Sequence, residues 1–277
     1  MNISGYTKLF AVIGSPTAHS LSPIIQNTFA EQCGEDMAYL AFDVTRDSLA
    51  DFFTGARTLN MGGFNVTMPL KEAVIPYMDV LDDSAGRYSS VNTVVFDSGR
   101  FYGYNTDAYG FLTALQSQGF DASCGHALIL GTGGAARTAA AALKGCGMDV
   151  SMASRRHSQL PPFKNGIAYC AWDSISEHAG GSRILVNATP LGMVKNPDNF
   201  TDFSFLDCLP RGSAVYDIVY APPETELLKQ AGARGLKTLN GLSFLIHQAA
   251  GAFFRFTGKT PPDEIIKSLE QRLGSMT

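Results

Sequence analysis

The sequence is short of the features that would tie it to a membrane, a polyanion or a metal. Its first apolar run, in MNISGYTKLFAVIG, stops at Gly14 and Pro16, too short to span a bilayer or to serve as a secretory h-region with a cleavage site. A cytoplasmic protein is expected. Neither sign of charge is in large surplus: Lys+Arg 21 against Asp+Glu 25 leaves a net charge of -4, which provides no footprint for nucleic acid or an anionic membrane surface. The five cysteines (33, 124, 146, 170 and 208) are odd in number and include no CxxC pair, so they read as small buried hydrophobes. The five histidines contain no HxxxH pair, and no metal site is expected. There is no repeat of fixed period and no low-complexity tract.

What is there is an ordinary globular composition. With 277 residues and 45% hydrophobic content, the chain can bury a core in each of two modest domains. Short β-rich runs alternate with helical patterns, the mark of an α/β fold with mostly parallel sheets. LFAVIG reads as a buried strand. SPIIQNTFAEQCG reads as a helix with Ser22 at the N-cap, Pro23 at N1 and Gly34 past its end. AYLAFDV and GGFNVT are further strands, separated by a helix whose apolar face is Leu49, Phe52, Phe53 and Ala56. VNTVVFDSGRFYGYN predicts a hairpin about Asp97-Ser98-Gly99, which gives the first sheet an antiparallel element.

Asp107 is positioned to N-cap the amphipathic helix DAYGFLTALQSQG. A second strand and helix alternation then runs from HALILG to LKTL. Two helices, GLSFLIHQAAGAFFRFTG and PPDEIIKSLEQRLG, finish the chain; a scaffolding role for them would need an exposed patch about Phe253, Phe254 and Phe256.

The second alternation opens with GTGGAA, residues 131 to 136, between a strand and a helix. In this GxGxxA pattern Gly131 makes the tight turn, Gly133 admits a pyrophosphate to the backbone and Ala136 lets helix and strand pack closely. NAD sites usually carry Asp or Glu about twenty residues further on, whereas NADP sites place Arg near the 2′-phosphate. Here the next strand, residues 149 to 154, ends in Ser154-Arg155-Arg156. Guanidinium pairs with phosphate bidentately, and a carboxylate would repel it, so NADP is the expected cofactor.

In the first half, GSPTAHSLSP places Ser20 and Ser22 just before a helix, whose N-terminal amides favour an anion such as a substrate carboxylate. NVTMPLK presents Asn65, Thr67 and Lys71 beyond the carboxyl end of a strand, the side on which open α/β sheets bind ligands. Reducing a ketone by hydride leaves negative charge on oxygen, and Lys71 can protonate or stabilise it. Closing a cleft would favour the neutral amine of Lys71, and Asp107 nearby would favour the ammonium.

These segments carry a resemblance. AVIGSPTAHSLSP, NVTMPLK, VNTVV, YNTDAYGF, GTGGAAR, NATPLGM, YDIVYAPPETELL and the GLSFLIHQAA helix make the chain similar, over nearly its whole length, to the shikimate/quinate 5-dehydrogenase family. The resemblance implies a mixed-sheet α/β substrate domain, residues 1-107 completed by helices in 241-277, and a Rossmann-like parallel-sheet NADP-binding domain, residues 108-240. It implies NADPH-dependent reversible reduction of 3-dehydroshikimate to shikimate in a cleft between them, on the route to chorismate and the aromatic amino acids. By motif position Ser20 and Ser22 would hold the carboxylate. Thr67, Asn92, Asp107, Tyr220 and Gln248 would line the ring, with Lys71 and Asp107 the catalytic pair. Gly131, Gly133, Gly134 and Ala135 would bind the pyrophosphate, Ser154, Arg155 and Arg156 the adenosine 2′-phosphate, and Thr189, Met193 and Gly241 the nicotinamide end.

Three positions depart from the family pattern: Ser154-Arg155-Arg156 replaces Asn-Arg-Thr, Gln26 stands where histidine is frequent, and Phe244 replaces a usual methionine. Quinate as main substrate is the nearest alternative. A non-catalytic NADP-sensing module is another, though it would have no chemical need for both Lys71 and Asp107. A folate dehydrogenase can share such a cleft but has no reason for the Ser-x-Ser site. The expected partners are a small-molecule substrate and the nucleotide, without nucleic acid or membrane, in a monomer or homodimer.

Overall fold

The computed structural model describes residues 3-156, 158, 166-194, 196 and 198-275. The chain divides into two compact units: Met1–Gly110 with Ile246–Leu269, and Phe111–Leu245 with Glu270–Thr277.

The first unit holds β1 (Lys8–Gly14), α1 (Ser22–Cys33), β2 (Met37–Asp43), α2 (Leu49–Thr58), β3 (Gly63–Val66), β4 (Val80–Leu81), α3 (Asp83–Tyr88), β5 (Thr93–Asp97) and β6 (Arg100–Tyr104). Its sheet runs in the order β2-β1-β3-β5-β6-β4. β1 pairs in parallel with β2 and β3, β5 is antiparallel to β3 and β6, and β4 joins β6 in parallel. The mixture follows from local chemistry: helices return the chain between β1, β2 and β3, whereas a two-residue turn joins β5 to β6. Ser98 and Gly99 there have φ of 49 and 78, the paired positive values of a hairpin turn whose twist matches its strands.

Alternate residues of β1 supply both faces of this sheet. Ala11 and Ile13 join Phe53, Phe64 and Phe101 in one core, where Phe53 meets the edges of Phe64 and Phe101 at centroid distances of 5.5 and 5.0 Å and stacks on Tyr77 at 4.5 Å. Phe10 packs against Phe256 at 4.9 Å, and Phe29 of α1 against Phe253 at 5.7 Å. Two of the three C-terminal phenylalanines are thus used in packing; Phe254 alone of them is exposed.

α4 (Asp107–Ser117) leads into the second unit, which holds β7 (His126–Leu130), α5 (Gly134–Gly145), β8 (Asp149–Ser154), β9 (Ala168–Ala171), α6 (Ile175–Ala179), β10 (Ser182–Asn187), β11 (Ala214–Asp217), α7 (Glu226–Ala233) and β12 (Lys237–Leu239). α8 (Gly241–Thr257) and α9 (Asp263–Gly274) close the chain. Every pairing in this sheet is parallel, in the order β12-β11-β10-β7-β8-β9. Counted from β7 as the first strand, that is the 3-2-1-4-5-6 order of a doubly wound dinucleotide fold, with its switch point between β7 and β10. Leu128, Leu130, Leu185 and Val215 are fully buried, as expected for strands covered on both faces. Among the described residues no helix is long and apolar enough to cross a membrane, and no cluster of His, Cys, Asp and Glu is arranged to hold a metal.

Two helix starts differ from the sequence reading. Ser22 is the first residue of α1, not its cap: the preceding residue, Leu21, occupies the cap in a helical conformation, and the Ser22 amide donates to Ser20 Oγ at 3.2 Å. The cap moves because the turn closed by Ser20 N and Thr17 O delivers the chain already coiled. Asp107 likewise opens α4 without capping it. Its own amide donates to Asn105 Oδ1 at 3.0 Å, while its carboxylate is engaged elsewhere. α5 begins at Gly134, with Gly133 at its N-cap.

Candidate functional site

In the first unit the candidate residues gather beyond the carboxyl ends of β1 and β3. Thr67 N donates to Ile13 O at 2.8 Å and Ser15 N to Met68 O at 3.2 Å, zipping the loop that carries Ser20 and Ser22 to the loop that carries Thr67 and Lys71. Lys71 O accepts from Val91 N at 2.9 Å, which sets Lys71 beside Asn92. The Lys71 ammonium stands 2.6 Å from Asp107 Oδ2, with side-chain exposures of 22% and 6%. An ammonium has three donors, so this pair leaves two for a ligand. Asn92 Nδ2 donates to Asp107 Oδ1 at 2.7 Å and reaches Thr106 Oγ and Gln248 Oε1 at 3.0 and 3.4 Å. Both carboxylate oxygens are therefore held, which fixes the direction of the ammonium.

Close packing brings Gln248 into this network. Thr106 Oγ donates to Gln248 O at 3.0 Å, and a Cβ on Gly110 would lie 2.5 Å from Gln248 N, so only glycine at 110 allows α8 so near α4. Gln26 Nε2 donates to Ala249 O at 2.9 Å, tying α1 to the same turn of α8. Asn65 faces inward, accepting from Tyr39 Oη at 2.6 Å and donating to Asn92 O at 3.0 Å; it supports the network from below.

The second unit builds its site largely from backbone. Gly131, at φ 107, takes a conformation open chiefly to glycine, and a Cβ there would press to 3.0 Å against Ala188 O and Thr189 Cγ2. The turn thus lies directly against the segment after β10. Beyond it Gly133, Gly134 and Ala135 start the twelve-residue α5, whose first amides have no partner within the helix and favour an anion. The parallel register of β7 and β8 sets Leu130 beside Ala153, so Ser154 ends level with the glycine turn. Arg155 and Arg156 follow, both exposed, with Arg156 N donating to Ser154 Oγ at 3.1 Å.

Behind the loop carrying Thr189 and Met193 lies a buried polar knot. Asn187 Oδ1 accepts from Thr189 N at 3.0 Å and Thr189 Oγ at 2.7 Å, while its Nδ2 donates to Asp217 Oδ1 at 2.9 Å. Asp217 also accepts from Val219 N at 3.0 Å and Thr225 Oγ at 2.6 Å. Burial pushes its pKa up to about 6, against the downward pull of those hydrogen bonds. Tyr220 follows on the same loop, half-buried, the pKa of its hydroxyl pushed up by burial. Gly241 N donates to Val219 O at 3.1 Å, and Phe244 meets Phe111 edge-on at 6.3 Å.

The structure thus brings Ser20, Ser22, Thr67, Lys71, Asn92, Asp107 and Gln248 into the first unit. Tyr220 and all the cofactor candidates belong to the second. Sequence reasoning gave no role to Asn187, Asp217 and Thr225, or to Thr106. The available signal was polar side chains ending two adjacent hydrophobic strands, RILVN and AVYD.

A glycine turn at the switch point of a doubly wound sheet, joined in one chain to a unit holding a partly buried lysine-carboxylate pair, defines a dinucleotide-dependent α/β protein. Comparison makes this specific. Residues 12–94 match the family model for the shikimate dehydrogenase substrate binding domain, and residues 241–269 the model for the shikimate 5'-dehydrogenase C-terminal domain. The NADP(+) shikimate dehydrogenase of Acidiphilium cryptum is 39% identical over 263 residues, covering 94% of each chain. The crystal structure of shikimate 5-dehydrogenase from Thermus thermophilus with NADP(H) and shikimate superposes with a TM-score of 0.84 at 35% identity, covering 96% of this chain and 99% of that one. Quinate dehydrogenase from Corynebacterium glutamicum, solved with NAD, gives 0.86 at 30% identity, covering 96% and 99%. The chain belongs to the shikimate dehydrogenase family.

Proposed function

We propose that the chain catalyses the reversible, NADP-linked interconversion of 3-dehydroshikimate and shikimate, with Lys71 and Asp107 as its proton-transfer pair. The observation that carries this reading is the Lys71 ammonium 2.6 Å from a nearly buried Asp107 carboxylate whose other oxygen is held by Asn92. A module that only sensed NADP would have no use for such a pair. Quinate is the less favoured substrate, because relatives at 35% to 39% identity are NADP(+) shikimate dehydrogenases.

NADPH, when bound, supplies the hydride, and NADP+ accepts it in the reverse direction. The chain's residues govern the proton. As the ketone carbon gains hydride, its oxygen becomes an alkoxide, and a free donor of Lys71 stabilises that charge and passes it a proton. Lys71 is then neutral and recovers a proton from solvent. In the oxidative direction the neutral amine takes the hydroxyl proton. Asp107, locked by Asn92, holds the amine in line for both steps.

Ser20 and Ser22 bind the substrate carboxylate, while Thr67, Asn92, Tyr220 and Gln248 take the ring hydroxyls. The cofactor fits the donors present: Gly131, Gly133, Gly134 and Ala135 offer backbone room and amides for the pyrophosphate. Ser154, Arg155 and Arg156 suit the 2′-phosphate; Thr189, Met193 and Gly241 border the nicotinamide. In this reading residues 1-107, completed by 241-277, serve the substrate and 108-240 the NADP. The protein works in the cytoplasm as a monomer or homodimer, with neither nucleic acid nor membrane as partner.

The test is NADPH absorbance with 3-dehydroshikimate, shikimate and quinate, each with both nicotinamide cofactors. Fastest turnover of shikimate with NADP is expected. Turnover of quinate alone, or none of the three, would overturn the reading.

A further inference from the structure

Asp217 is a buried acid that the proton chemistry above does not use. It ends β11, is 0% exposed, and has only neutral hydrogen-bond partners: the Asn187 amide on β10, the Thr225 hydroxyl at the start of α7 and the Val219 backbone NH. Each donor begins or belongs to a different part of the candidate cofactor half. Asn187 opens the loop of Thr189 and Met193. Thr225 caps α7, its Oγ accepting from Leu228 N at 3.4 Å. Val219 precedes Tyr220 and accepts from Gly241 N.

An ionised carboxylate only accepts, so it takes Asn187 Nδ2 and leaves Oδ1 toward Thr189, the orientation that the Leu191 carbonyl and the Thr189 NH also require of that amide. Asn187 Oδ1 collects both the amide and the hydroxyl of Thr189, while Nδ2 also reaches Leu191 O at 3.3 Å. With its proton committed to Asn187, Thr189 Oγ offers a lone pair, which Leu191 N takes at 3.2 Å. The acid thus anchors one end of a run of hydrogen bonds that passes through Asn187 and Thr189 to Leu191. A neutral side chain would spare the fold a buried charge, but its bond to Asn187 would lack charge assistance.

We propose that Asp217 is a positioning residue for the nicotinamide end of the cofactor: acting through Asn187, it fixes the loop from 187 to 193 and the direction of the Thr189 hydroxyl. The proposal rests on the reading that Thr189 and Met193 border the nicotinamide. In Asp217→Asn the bonds from Asn187 and Thr225 lose their charge assistance, so the loop is held less firmly from behind.

The experiment is steady-state kinetics of the full-length Asp217→Asn chain, varying NADP and shikimate separately, with NADPH binding followed by fluorescence and a thermal melt beside each assay. The expected result is a fall in kcat/KM for NADP of about ten- to a hundred-fold, with KM for shikimate within about two-fold of the parent and no loss of thermal stability. Between pH 5 and 8 the parent should show a step in kcat/KM for NADP that the variant lacks. Asn187→Ser, which removes the relay and leaves the acid, should show the same NADP-selective loss, and it carries the test if Asp217→Asn does not fold. Unchanged kinetics in the variants would overturn the proposal while leaving the proposed activity standing. A rise in KM for shikimate alone would overturn the loop assignment, and an unmodified chain that neither binds NADPH nor oxidises shikimate would overturn the activity and this proposal together.

Discussion

The two units build their candidate sites from different materials. The first relies on side chains: an ammonium, a carboxylate, two carboxamides and several hydroxyls, converging from β1, β3, β5, α4 and α8. The second relies on main chain, with a glycine turn, a helix N-terminus and loops held from behind by Asn187 and Asp217. Their buried acids mirror the contrast. Asp107 is paired with a partly exposed cation 2.6 Å away, whereas Asp217 is fully buried among neutral donors. A site made of side chains is vulnerable to a single substitution. One made of backbone keeps its general affinity and is tuned by the few side chains at its rim.

The sharpest way to break that contrast is Lys71→Met. It should lower kcat by roughly 10² or more while leaving NADPH affinity nearly unchanged. The uncompensated Asp107 will also cost stability, so the assay must be run below the variant's melting temperature. Near-normal turnover would remove Lys71 from the proton path.

At the rim of the second unit, Arg155→Ala should erode the preference for NADP over NAD by roughly ten- to a hundred-fold, the worth of one charge-assisted hydrogen bond. Arg156→Ala needs its own measurement, since the two residues share the exposed turn. Equal kcat/KM with both nucleotides in the unmodified chain would show that neither reads the 2′-phosphate.

Ser20→Ala/Ser22→Ala should raise KM for shikimate by roughly ten-fold, more than it lowers kcat. Because the Ser22 hydroxyl makes no capping bond, its removal should cost far less than the ~1 kcal/mol of a true N-cap. A large drop in melting temperature for Ser22→Ala alone would contradict that geometry.

The smallest expected effect concerns Asp217. Its folded pKa, about 6, lies above the ordinary 3.8. The contribution to stability is therefore full below the ordinary value and is lost as pH rises through about 6. Asp217→Asn removes that dependence, so its melting temperature relative to the parent should improve between pH 5 and 7.5, by an amount on the order of a few degrees. A constant difference across that range would mean that the acid is not buried as charged.

Much of this architecture was legible from periodicity and turn chemistry. The Ser98-Gly99 hairpin, the 131-136 turn and the span of β8 all follow from residues adjacent in sequence. Helix starts were less legible, because a cap is set by the conformation of the preceding turn as well as by the side chain available. Ser22 and Asp107 both have capping side chains, yet Leu21 is already helical and the Asp107 carboxylate finds a stronger partner in Lys71. Least legible was the support behind the site. Asn187 and Asp217 meet only when β10 and β11 align in register, a long-range fact that no local pattern encodes.

The contact between Thr106 and Gln248 has a consequence for how the protein is made. The two residues lie 142 positions apart, and the second unit occupies nearly all of the intervening chain. On a ribosome, Lys71, Asn92 and Asp107 emerge early and must wait while the inserted segment Phe111–Leu245 is synthesised. Only then does α8 emerge to complete their surroundings. Nascent chains halted before residue 246 therefore lack the bond between Thr106 and Gln248, and the surroundings of the lysine-carboxylate pair close only late in translation.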